Sequence, residues 1–343
     1  EDGALYLVAQ PNSDGQVWAV PVPSHECDRF VSVSEQPLTY VFLDDVVRQQ
    51  LPALLGPEEP IPSFAIKVSK DAELYLEDEH NDTELVEKIY DSLGKRTTGQ
   101  PTRLLYDKEM PTKLLEKLTA ILELGKADHM PGGRFHNLSD FFGFPNTTQD
   151  KSLNYGEQPP LPHPGFIPEV PVFDLISKKD LLVHFPYQSF DAVERFLEAA
   201  AMDPAVEHIK MSLYRIAKTS KLSDVILKAL ERGKKVTLFV EAQARFDEKN
   251  NIEWGRIFKE HGATVFFSVP NIKVHSKVAM VYRKEEEGML RYAYIGTGNF
   301  NAKTAKLYCD HGLFTAHSEI TADLHQVFEV LERKLINPKL KHL

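Results

Sequence analysis

Between Phe190 and Val269 the chain alternates helix-like and strand-like patterns, and this alternation constrains the fold more than any other feature. In "FDAVERFLEAAA" the apolar residues Phe190, Val193, Phe196 and Leu197 recur at helical spacing. The strand-like "IKMSLYR" follows, then the helix "SDVILKALERG", the strand "KKVTLFVEA", the helix "NIEWGRIFKEHG" and the strand "ATVFFSV". The last two helices close on Gly233 and Gly262, the residue type that best takes the left-handed turn after a helix. Such a series predicts βαβ crossovers and a sheet that is at least partly parallel. Beyond it, "NIKVHSKVAM" and "LRYAYIG" flank the charged loop "RKEEEG" and predict an antiparallel hairpin. The segment "EITADLHQVFEVLERKL" predicts a final helix with Ser318 as its N-cap.

Six prolines crowd into "PPLPHPGFIPEVP", from Pro159 to Pro171, which excludes helix and sheet interior and predicts an extended linker. The 343 residues are enough for two domains at roughly 100 to 200 residues each. The expected division is a head domain over 1–158, the linker over 159–171 and an α/β domain over 172–343. In the head domain "GALYLVAQ" and "QVWAVPVP" surround the turn-forming "PNSDG" and predict a hairpin. Helices are predicted in "LDDVVRQQLPALL" (interrupted by Pro52), "DTELVEKIYDSLGKR" and "PTKLLEKLTAILEL", which makes this part α+β.

With 50 acidic against 40 basic residues, the net charge of -10 argues against a nucleic-acid coat, so a polyanion would have to meet a local basic patch. Cys27 and Cys309 make neither a disulfide framework nor a metal spacing, and a reducing, cytoplasmic setting is the expectation. No apolar run nears the roughly 20 residues that span a bilayer. The chain starts at Glu1 rather than Met, and a piece of a longer protein is expected.

Two constellations carry chemistry. Arg215 and Arg245 fall at or just after the carboxyl ends of predicted strands, the edge where open α/β sheets bind ligands. Their planar forks of donors suit phosphate oxygens, although pairing with Asp247 or Glu248 would explain them equally well. On a strand starting at Asn271, Lys273, His275 and Lys277 would share one face, opposite Ile272, Val274, Ser276 and Val278. Across the hairpin "IGTGNFN" brings Gly296 and Gly298, which allow close backbone approach, and the amide of Asn299. A neutral His275 could attack phosphorus while Lys277 and Asn299 stabilise the equatorial oxygens; a half-buried strand histidine beside a plain turn is the competing explanation. "PGGRF" reads more readily as a glycine turn than as an anion cradle, and His163, His184, His311 and His317 lack metal-ligand spacing.

An H-x-K followed about twenty residues later by G-x-G-N resembles the half-site of the phospholipase D superfamily, with Tyr282 where that superfamily usually carries an aspartate five residues after the lysine. Along nearly the whole chain, "PGGRFHN", "FPYQSF", "IKMSLYR", "EAQARFDEKNNI", "KVHSK", "YIGTGNFNAKTAKLY" and "ITADLHQVF" resemble the bacterial polyphosphate kinases of the first type. The resemblance implies a phospholipase D-like mixed sheet flanked by helices behind the α+β head domain. It implies that His275 takes the terminal phosphate of ATP and passes it reversibly to inorganic polyphosphate, leaving ADP. It implies that Arg215 and Arg245 hold Mg²⁺-bound phosphates, with no direct protein ligand to the metal, and that Tyr308 packs near the base. An N-terminal helical domain and a second phospholipase-like domain would complete the family's chain, so these residues alone are expected to transfer phosphate poorly. A homo-oligomer with peripheral inner-membrane association is the expectation for the whole protein. Lys273, Lys277, Lys303 and Lys306 are expected along the phosphate path.

The alternatives are a phosphodiesterase that pairs two half-sites in a dimer, against which Tyr282 counts, and a polyphosphate-binding module without catalysis.

Overall fold

The first strands form where the alternation is clearest. Leu5–Ala9 (β1) pairs antiparallel with Trp18–Pro21 (β2) as the predicted hairpin, and with Ser63–Lys70 (β5) on its other side. Between them lie the hairpin Phe30–Glu35 (β3) and Leu38–Phe42 (β4), and the helix Leu43–Leu55 (α1). Pro52 sits inside α1 without ending it: only one turn remains after the lost donor, and Gly56, at φ +94°, closes the helix through its N–H to the Pro52 carbonyl. The strands Pro101–Asp107 (β6) and His129–Gly132 (β7) complete a sheet of order β2-β1-β5-β6-β7. The helix Thr112–Leu122 (α2) lays Leu114 and Leu118 against Val8, Ile66, Val68 and Leu104. Arg29 is buried in an ion pair with Asp44. The glycine turn expected in "PGGRF" is instead the end of β7, which holds Pro131 and Gly132, and beyond it Arg134 pairs with the distant Asp45 at 2.7 Å.

This computed structural model describes residues 2–10, 15–35, 37–56, 60–70, 86, 87, 89, 99–145, 148, 151–153, 155–217, 221–244, 247–268 and 273–343. The helix expected over 82–96 lies outside them save for three residues, and Arg245 lies outside them altogether. Two units divide the described residues: those of Glu1–Glu73 and Leu93–Gly156, and those of Leu74–Ser92 and Glu157–Leu343.

The prolines from 159 to 171 belong to the second unit and are fastened to it. Leu161 exchanges backbone hydrogen bonds with Tyr187 and Ser189, Phe166 packs edge-on against Phe314, and Arg195 donates to the carbonyls of Ile167, Pro168 and Val170. Proline removes donors but leaves carbonyls, and a guanidinium collects three of them.

The second unit then runs Val172–Lys178 (α3), Leu181–Phe185 (β8), Asp191–Met202 (α4), Val206–Leu213 (β9), Lys221–Glu231 (α5), Lys235–Val240 (β10), Glu248–Glu260 (α6) and Thr264–Phe267 (β11). Lys277–Glu285 (β12), Gly288–Gly296 (β13), Asp310–Thr315 (β14) and Ser318–Leu331 (α7) follow. The seven strands order as β11-β10-β9-β12-β13-β14-β8. β9, β10 and β11 are parallel, as the alternation requires, and β12 runs antiparallel to β9 and to β13. α7 seals one face with Leu324, Phe328 and Leu331 against Phe239, Val278, Met280 and Ala293. Ser318 is the first helical residue of α7 and makes no capping bond; His317 stands at the N-cap, where its carbonyl accepts from the Thr321 hydroxyl.

Near α7 lies a polar cluster in which Lys210 and Glu332 are buried and the other members half-buried. Lys210 forms an ion pair with Glu332, Tyr282 donates to or accepts from His325 Nδ1 at 2.7 Å, and His208 stacks on the Tyr282 ring at 5.3 Å. Among the described residues no helix is long and apolar enough to cross a membrane.

Candidate active site

Running β12 antiparallel beside β9 brings the start of one strand to the carboxyl end of the other. A cleft of about 610 Å³ opens there. His275, Lys277, Arg215, Asn299 and Tyr308 all line it. The convergence expected from the sequence is produced by the sheet order.

His275 does not lie on a strand. β12 begins at Lys277, and residues 273–276 have no regular structure, so the imidazole stands exposed at the strand's mouth instead of alternating on its face. Its ring meets Tyr214 edge to face, centroids 4.5 Å apart at 85°. Partial burial, with the positive charges of Lys277 and Arg215, holds His275 below its ordinary pKa, which favours the neutral, nucleophilic ring. Lys277 is 3% exposed and donates from Nζ to the His275 carbonyl at 2.6 Å. Burial lowers its pKa to about 8, with Arg215 adding to the fall and Asp310 opposing it.

Arg215 pairs with Asp247 at 3.0 Å, so the structural explanation weighed for this arginine is realised, yet the pair stands in the cleft wall. A half-exposed pair of this kind is worth at most about 1 kcal/mol, cheap enough for a phosphate to displace. Asn299 Oδ1 is buried with no hydrogen-bond partner among the described residues. At Gly298 a Cβ would come within 2.4 Å of Asp310 Oδ2, so this glycine lets the turn lie on that carboxylate. A Cβ on Gly296 would come within 2.6 Å of the Tyr294 hydroxyl. Both glycines therefore serve approach by the protein's own side chains. Tyr308 is 63% exposed. Lys273, Lys303 and Lys306 are exposed but do not line the cleft.

Sequence reasoning missed Tyr214, whose ring faces His275 and carries the Lys277 ammonium 5.0 Å from its centre. It also missed Thr297 and Asp310, which line the cleft and are joined at 2.7 Å. Asn251 was missed too: fully buried on α6, it donates to the carbonyls of Tyr214 and Glu241 and accepts from the Ile216 N–H. An amide at a core position of an amphipathic helix, in "KNNIEW", was the available signal. Among the described residues no group of three or more His, Cys, Asp or Glu side chains could hold a metal.

Tyr282 lies far from this chemistry. It shares the α7 face of β12 with Val278 and Met280, while Lys277 points the other way, and it lines no part of the cleft. Tyr282 therefore does not itself touch a ligand in the cleft.

The polyphosphate kinase middle domain matches residues 1–144, and polyphosphate kinase C-terminal domain 1 matches residues 171–336. The polyphosphate kinase of Vibrio parahaemolyticus is 38% identical over 353 aligned residues, covering 100% of this chain and 50% of that protein. That of Escherichia coli is 39% identical over 91% of this chain and 46% of its own length. The crystal structure of polyphosphate kinase from Porphyromonas gingivalis superposes with a TM-score of 0.76 at 28% identity, over 99% of this chain and 50% of that one. The chain spans about half the length of the curated relatives it matches. Matched in both of its units by the family's own domain models and end to end by its members, the chain belongs to the polyphosphate kinase family, of which it carries the middle domain and the first C-terminal domain.

Proposed function

We propose that this chain supplies the phosphohistidine half-site of an ATP:polyphosphate phosphotransferase. The carrying observation is the exposed His275 imidazole, held below its ordinary pKa and opening onto a cleft walled by Lys277, Arg215 and Asn299. In this reading a ring nitrogen of His275 attacks the γ-phosphorus of ATP. The N–P bond forms as the bond to the β,γ-bridging oxygen breaks, and that oxygen leaves with its electron pair on ADP. A terminal oxygen of polyphosphate then attacks the phosphohistidine and frees the ring; both steps reverse. Arg215 and Lys277 meet the equatorial oxygens, the Asn299 amide adds a neutral contact, and Tyr308 offers an exposed ring to the base. Arg245 is proposed as the second phosphate-binding arginine.

Asp247 is already paired with Arg215, and Asp310 with Thr297, so the cleft fits Mg²⁺ carried on substrate phosphates better than a metal caged by carboxylates. When bound, Mg²⁺ supplies charge neutralisation to the phosphate chain near Arg215 and Arg245. Self-association of the whole protein, a cytoplasmic location and peripheral contact with the inner membrane belong to the same reading.

The test is labelling with γ-³²P ATP and Mg²⁺, on this chain and on the longer polypeptide that carries the rest of the family's domains. The longer protein should acquire acid-labile, alkali-stable phosphate that is lost in His275→Ala, and this chain alone should label poorly. Equal labelling of the variant would sink the proposal. Hydrolysis of a chromogenic phosphodiester by the wild type would favour the phosphodiesterase instead.

A further inference from the structure

His275 has no strand to hold it, so something else must fix the backbone from which its ring projects. Directly after β10, Glu241 is 0% exposed, and its carboxylate joins three segments. Oε2 accepts the Val274 N–H at 2.7 Å; Oε1 accepts the Gln243 N–H at 2.9 Å and the Ser268 hydroxyl just beyond β11. Two of these partners are backbone N–H groups, which can only donate, so both oxygens are held as acceptors; burial pushes the carboxyl up and the hydrogen bonds to it oppose that rise. Glu241 itself cannot drift. Its N–H donates to the Leu213 carbonyl at 2.9 Å, and its carbonyl accepts from Asn251, which also grips Tyr214. On the other side of His275, the Ser212 hydroxyl donates to the Ser276 carbonyl at 2.8 Å. The nucleophile is thus tethered one residue before and one residue after itself, from the ends of two parallel strands.

We propose that Glu241 is the positioning residue of His275: by holding the Val274 N–H it fixes the backbone that aims the imidazole into the cleft. The proposal rests on the phosphohistidine reading and deepens it. Glutamine would not replace it, because an amide nitrogen at either position would face a donor, the Val274 N–H on one side or Gln243 and Ser268 on the other. A displacement of about 1 Å at a reacting group costs up to roughly 100-fold in rate.

The test compares wild type with Glu241→Gln in the full-length protein, and with a second variant in which the peptide bond between 273 and 274 is replaced by an ester, which removes only the Val274 N–H. Expected in both is a fall of roughly 10- to 100-fold in the single-turnover rate of His275 labelling. The ATP concentration for half-maximal rate should stay within about twofold, and hydrogen exchange should speed up at residues 273–277, with Gln243 joining them in Glu241→Gln alone, and not elsewhere in the sheet. The ester variant decides the matter should Glu241→Gln not fold. Unchanged labelling with unchanged exchange at 273–277 would overturn the proposal, as would exchange rising uniformly across β9–β12 with parallel loss of ATP affinity. Absence of label on wild-type His275 would instead refute the phosphohistidine reading, leaving exchange alone to decide whether Glu241 holds the segment.

Discussion

Lys277 should set the alkaline limit of phosphate transfer. An ordinary lysine keeps its charge well beyond pH 9, but burial brings this one to about 8. If the ammonium form is required, its population is about 0.9 at pH 7, about 0.5 at pH 8 and about 0.1 at pH 9, since each pH unit is tenfold. The single-turnover rate of His275 labelling should therefore halve by pH 8 and fall about tenfold by pH 9. On the acid side the lowered pKa of His275 keeps the ring neutral, and the rate up, to below its ordinary value of 6.5. Unfolding cannot mimic the alkaline loss through this group. Its folded pKa is depressed, so the unfolded chain binds more protons between about 8 and 10.5, and Lys277 adds stability as pH rises through that window. Lys277→Arg keeps a charge beyond pH 10 and should abolish the alkaline limb, whatever its plateau. Lys277→Met should lower the plateau and, by removing a neighbouring positive charge, move the acid limb upward. A wild-type rate flat to pH 10, or an alkaline limb that survives in Lys277→Arg, would refute the reasoning.

Lys210→Met leaves buried Glu332 without its buried partner and should cost about 3 kcal/mol in urea unfolding, the low end for a broken buried pair because Lys334 still contacts Glu332; adding Glu332→Leu should return stability to within about 1 kcal/mol. Gly298→Ala should push Asp310 off the turn, costing about 1–3 kcal/mol and slowing His275 labelling, and an unchanged melting temperature would show that the turn yields freely. His208 is brought down to about 4 by burial and nearby lysines, so the unfolded chain takes up a proton that the folded one refuses as pH drops from 6.5. Stability should fall by on the order of 2 kcal/mol between pH 7 and pH 4.5, and His208→Gln, compared by urea unfolding at both pH values, should flatten that dependence.

The alternation after Phe190 was sufficient for the parallel core because periodicity reports burial, and burial decides which face each residue shows. The β1–β2 and β12–β13 hairpins were legible for the same reason. Placing His275 on a strand failed because the apolar alternation of Val274, Ser276 and Val278 continues past the last ladder bond; half-buried Val274 packs against the core from a loop. The proline run carried no sign of Arg195, which lies in a helix and reaches its carbonyls from a distance in sequence. Glu241 and Asn251 stayed hidden because a buried polar residue looks in sequence like a surface one until its partners are known.

The turn between β12 and β13 sits at the opposite end of those strands from the cleft. Nine-residue arms put Glu286 and Glu287 about 30 Å from His275 at 3.3 Å per residue. The turn also closes on Gly288 at φ +122°, with open space where a Cβ would stand. It is therefore a natural graft point. A fluorophore, an affinity peptide or a surface tether attached there would report on the protein or immobilise it without lying in the path of any phosphate chain that reaches the cleft.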